Sequence, residues 1–93
     1  MNTRTEYKLT DEEKQDFKRL KAYNKVEFIV NELEGTVAVV DKRPGSLYNV
    51  AFSHCGANEI FNAKRGKYEA LKRRYFGSYA IMTARQVEIL KVF

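Results

Sequence analysis

The chain is expected to fold as α+β: a three- or four-stranded antiparallel sheet, one main helix packed on a face, and short helices near the termini. Three observations lead there. Residues 26–55 alternate apolar and polar positions and are broken by "NELEG" and "RPGS", as in an antiparallel meander. Residues 58–76 place Ile60, Phe61, Tyr68, Leu71 and Tyr75 on one side of a helical wheel. Thr10 with Glu13, and Thr83 with Gln86, are spaced as capping boxes at two further helix starts. Ninety-three residues suffice for one small domain, 1–93, with one core and little room for an enclosed active site.

Residues 1–8 show no apolar period and are expected to fray. The first helix is expected at Asp11–Ala22. Asp11 and Glu12 complement the dipole in its first turn, and Phe17, Leu20 and Tyr23 form a thin apolar stripe. Val26, Phe28 and Val30 alternate with Glu27, Ile29 and Asn31, which reads as a strand. "TVAVVD" is a β-branched second strand beyond Gly35. In the next turn Pro44 fixes φ and Gly45 accepts a positive φ.

"LYNVAFSHC" is the third strand. Leu47, Asn49, Ala51 and Ser53 lie on one face, with Tyr48, Val50, Phe52 and His54 on the other. Val50 and Phe52 are expected in the core. The main helix is expected from Asn58 to Phe76, with Gly77 closing it. Gly66, in its middle, either breaks the segment or lets one helix sit close against the sheet; one unbroken helix is the favoured reading. "SYAIM" is a candidate fourth strand. After it, Met82 and Val87 are spaced as a hydrophobic staple, and Val87–Val92 fits a helix or a strand.

Composition narrows the function classes. No run of eighteen apolar residues exists to span a membrane, and "MNTRTEYKLTDEEK" lacks the apolar centre of a secretory signal. The single cysteine, Cys55, excludes an internal disulfide and fits a reducing cytoplasm. One His and one Cys are too few for a zinc site within one chain. His54 and Cys55 are adjacent on a strand and so point to opposite faces, which disfavours a thiolate–imidazole pair. Glu32, Glu34 and Asp41 flank hairpin turns, where carboxylates commonly blunt a sheet edge. No catalytic residue, metal or cofactor is expected, and the chain is read as non-enzymatic.

The net charge of +5 is unevenly placed. Residues 60–79 hold six basic side chains against one acid, and the rest of the chain is nearly balanced. On the main helix Lys67 and Arg74 flank the apolar face on one side and Lys72 on the other. Lys64 falls on the apolar side one turn earlier, Arg73 points nearly opposite toward water, and Arg65 completes the cluster, while Lys42 and Arg43 sit at a hairpin tip. Local basic patches of this kind are the electrostatic footprint of a phosphate-binding surface. These eight residues are the candidate contacts to nucleic acid. The alternative is an acidic host protein, in a host-takeover or defence-inhibitor role.

Two resemblances add to this reading. "MTARQVEILKVF" resembles the first helix of LuxR-type helix-turn-helix domains over about twelve residues; it implies a helix start, and no recognition helix follows. Val50, Phe52, Cys55, Glu59, Phe61, Gly66, Lys67, Ala70 and Arg73 together resemble a pattern of small uncharacterised phage-encoded accessory proteins. That resemblance implies a phage or prophage origin, hence the cytoplasm of a bacterial host cell, and carries no established activity.

Overall fold

The computed structural model describes residues 4–23 and 25–92, the side chain of Tyr23 excepted. Three strands form the meander: β2 (Glu27–Asn31), β3 (Thr36–Arg43) and β4 (Leu47–His54). The strand β6 (Ala80–Thr83) joins the free side of β4, so the sheet is four-stranded and antiparallel in the order β2-β3-β4-β6. Both hairpins turn where the sequence supplies a left-handed residue. Gly35 (φ 66°) closes the first, and Gly45 (φ 84°) with Ser46 (φ 60°) closes the second.

Helices cover both faces, which explains why "VAVV" is apolar without alternation: Val37, Ala38, Val39 and Val40 are all buried. Val37 and Val39 face α1 (Asp11–Tyr23) and α2 (Ala63–Tyr75), in a cluster with Phe17, Leu20, Ala51, Tyr68 and Leu71. Ala38 and Val40 face α3 (Ala84–Val92), with Val50 and Val87. α2 makes its approach at Gly66: a Cβ there would stand 2.6 Å from Val37 Cγ2 and 3.4 Å from Ser53 Oγ. Ser53 donates to the Gly66 carbonyl at 2.7 Å. Gly66 thus permits close packing and leaves the helix whole.

The caps follow the side chains that predict them. Thr10 N–H donates to Glu13 Oε1 (3.0 Å), and Glu13 N–H donates to Thr10 Oγ1 (3.2 Å). Thr83 and Gln86 make the same reciprocal pair. Met82 packs against the cluster containing Val87, and α3 is a helix. After Phe76, Gly77 (φ 85°) donates to the Arg74 carbonyl and Ser78 donates to that of Arg73, which is a Schellman termination.

Three expectations need correction. The main helix begins at Ala63, not Asn58, because Asn62 accepts from Arg65 N–H and caps it. The preceding Glu59–Ile60 is instead a strand, β5, parallel to β1 (Thr5–Glu6). Of the segment expected to fray, residues 1–3 lie outside the described residues, whereas Thr5–Glu6 is held by β5 and by a hydrogen bond from Thr5 N–H to the Asn58 carbonyl. Phe52 is 37% exposed and outside the core. It lies on the α3 side of the sheet, where a nine-residue helix covers Val50 but leaves Phe52 partly open. The two long helices pack on the opposite face, against Ala51 and Ser53.

Candidate functional site

The six cations of α2 meet different fates. Arg65 is a tie between segments: its guanidinium reaches Glu13 (2.7 Å), Glu69 (3.2 Å) and the carbonyls of Tyr7 (2.7 Å) and Lys8 (3.4 Å). Burial acts to lower its pKa, but the bonds and charges of Glu69 and Glu13 outweigh this and raise it. Arg74 donates from Nε to Asp41 Oδ2 at 2.9 Å, its Nη2 lies 2.8 Å from the same oxygen, and its guanidinium is 4.5 Å from the Tyr79 ring centroid. Asp41 Oδ1 is buried without a partner, a local cost of placing this pair against the sheet. Arg73 donates to the Phe52 carbonyl at 2.5 Å. Arg65 and Arg74 are therefore matched by carboxylates, whereas Arg73 is exposed and keeps its charge.

The lysines remain open. Lys64 is exposed. Lys67 Nζ stands over the Phe28 ring at 5.6 Å from its centroid, and Lys72 Nζ over the Tyr68 ring at 5.0 Å. Those rings belong to one aromatic cluster. Phe17 packs edge-on to Phe28 (6.1 Å) and tilted against Tyr68 (5.9 Å), and Lys21 Nζ lies 4.4 Å from the Phe17 centroid. Three ammonium groups thus crown the seam where α1, α2 and β2 meet. Beneath the seam the Tyr68 hydroxyl donates to Asp16 at 2.7 Å.

Next to this seam, at the start of β2, lies an open concavity lined by Lys21, Lys25 and Lys42. Val26 and Phe28 line it from the α1 and α2 side of the sheet and Val40 and Tyr48 from the α3 side, so it wraps the sheet edge. The register of the sheet explains the meeting. Glu27 pairs with Val40, so Lys25, two residues before it, falls beside Lys42, whose other neighbour is Tyr48. Glu27 is the one acid in the lining, and Lys91 of α3 holds it at 3.2 Å. The concavity therefore presents free positive charge around the edge of the sheet, with one ring on each side of it.

Of the eight cations read from the sequence, Lys42, Lys67 and Lys72 join this surface, and Lys64 is exposed in the first turn of α2. Arg65, Arg73 and Arg74 have protein partners, and Arg43 bonds Asn49 Oδ1 at 3.1 Å. Lys21 escaped the sequence reading because it sits in the last turn of α1, and Lys25 because it lies in the short link to β2. The available signal was that Lys25 would oppose Lys42 once the hairpin is put in register.

The Cys55 thiol donates to the Glu59 carbonyl at 3.4 Å, and His54 is exposed. Among the described residues no three His, Cys, Asp or Glu side chains gather to hold a metal ion, and no helix is long and apolar enough to cross a membrane. No protein-family model, curated protein or solved structure matches the chain.

Proposed function

We propose that this chain is a non-enzymatic nucleic-acid-binding protein whose contact surface is the lysine crown of α1 and α2 together with the concavity at the start of β2. The observation that carries the reading is the convergence of Lys21, Lys25 and Lys42 on one concavity, with Phe28 and Tyr48 in its lining on either side of the sheet edge. Free ammonium groups attract the phosphate backbone, and the ring on each side of the edge gives an unpaired base a surface to stack on. That combination favours single strands over duplex. The likeness to phage-encoded accessory proteins would set this binding inside a bacterial host cell.

Fluorescence anisotropy with a labelled single strand and a labelled duplex, at two salt concentrations, tests the proposal. Binding is expected at low salt, tighter for the single strand, and weakening as salt rises. Lys25→Ala combined with Lys42→Ala should lower the salt slope by about two, roughly one per lost phosphate contact. Arg65→Ala should instead lower stability by about 1–3 kcal/mol, the scale of lost charge-assisted hydrogen bonds, with the salt slope unchanged. Absence of binding to either probe at low salt would end the nucleic-acid reading and leave the surface to an acidic protein.

A further inference from the structure

β2 is an edge strand of the four-stranded sheet, so one row of its backbone groups faces outward. The register says which. Cys55 N–H donates to the Gly35 carbonyl, one position beyond the Thr36–His54 pair. Odd-numbered residues of β3 therefore bond β4, and even-numbered ones bond β2. Ala38 and Val40 take Ile29 and Glu27, and Phe28, between those two, turns its N–H outward. That N–H has no partner among the described residues. It lies on the edge that the concavity wraps, where Glu27 and Phe28 are both in the lining.

Cations and a ring flank this N–H on each side of the sheet. On the α1 and α2 side stand Lys21 and the Phe28 ring, with Lys67 Nζ 5.6 Å from the ring centroid. On the α3 side stand Lys42 and its cross-strand neighbour Tyr48, with Lys25 beside them. Glu27, the one carboxylate in the lining, is held by Lys91 at 3.2 Å. A single strand carries its groups in the matching order, one anionic phosphate between two flat bases. A stacked strand keeps neighbouring bases face to face and can bring only one side of the edge a base. Reaching both rings requires one step of the strand to be unstacked and splayed.

Resting on the nucleic-acid reading above, we infer that the concavity takes one unstacked dinucleotide step astride the β2 edge. The phosphate meets the Phe28 N–H between the lysines, one base lies on Phe28 and the next on Tyr48. The ligand class follows from the cost of unstacking: thymine-rich single strands bind ahead of adenine-rich ones, whose bases stack more strongly.

Fluorescence anisotropy of the full chain with labelled oligothymidylate and oligoadenylate of about eight nucleotides, within the usual span of a single-strand site, tests this. The two probes carry equal charge, so phosphate attraction cancels between them. Oligothymidylate is expected to bind at least about threefold more tightly. Phe28→Leu and Tyr48→Leu remove a ring and keep an apolar side chain. Each should weaken oligothymidylate binding by about fivefold or more with the salt slope unchanged. Far-UV circular dichroism confirms folding, and Tyr48→Leu carries the test if Phe28→Leu does not fold. Equal affinity for the two probes overturns the inference, and so does a folded ring variant that binds like wild type; either result leaves the nucleic-acid reading standing. Binding of neither probe at low salt ends both.

Discussion

Tyr68 shows how one buried hydroxyl sets the limits within which the fold is stable. Burial first, and then its hydrogen bond to Asp16, push its pKa up to about 12 from an ordinary value near 10. The same bond, with Arg19 adding to it, holds the Asp16 carboxyl below its usual range. Glu13 is also lowered, chiefly by the Thr10 backbone N–H. The signs follow from linkage. A raised tyrosine pKa favours the neutral phenol in the fold, so its contribution is full below the unfolded value and is lost as pH rises from about 10 toward about 12. A lowered carboxyl pKa contributes fully above the unfolded value and is lost as pH falls through the folded one. The melting temperature should therefore drop at both extremes. Tyr68→Phe should blunt the alkaline drop and lower stability at neutral pH, where the Asp16 bond is missing. An alkaline limb identical in Tyr68→Phe and wild type, measured by thermal melting from pH 9 to 12, would mean that Tyr68 does not set it.

At the scale of elements, the contact of α2 with β3 is governed by an absent side chain. An alanine normally favours a helix interior over glycine by about 0.5–1 kcal/mol. At Gly66 the new methyl would meet Val37, a fully buried residue with no room to retreat. Overpacking of this kind costs about 1–3 kcal/mol, so the clash should win and Gly66→Ala should melt lower than wild type. Adding Val37→Ala should restore part of the loss attributable to the clash, and a double-mutant cycle in urea measures that coupling. Sequence makes such local devices visible. The capping residues of α1 and α3, the turn glycines and the Gly77 termination all act within a few positions of themselves. The start of α2 was misread for the complementary reason: Glu59–Ile60 is a strand because Thr5–Glu6 lies beside it, more than fifty residues earlier in the chain. Phe52 was misplaced because alternation identifies a face and says nothing of how far the helix covering that face extends.

At the scale of the molecule, folding decides which cations stay free. Arg65 and Arg74 looked like part of a binding surface in sequence because their partners Glu13 and Asp41 are distant in the chain, and only the fold brings those carboxylates to them. The lysines beside β2 gather for an equally non-local reason, the hairpin register. Lys25 and Lys42 are both exposed, so Lys25→Ala with Lys42→Ala should lower affinity for a single strand while leaving the melting temperature close to that of wild type. Anisotropy titrations beside thermal melts read the two effects, and a variant that melts well below wild type would show that these lysines hold the fold.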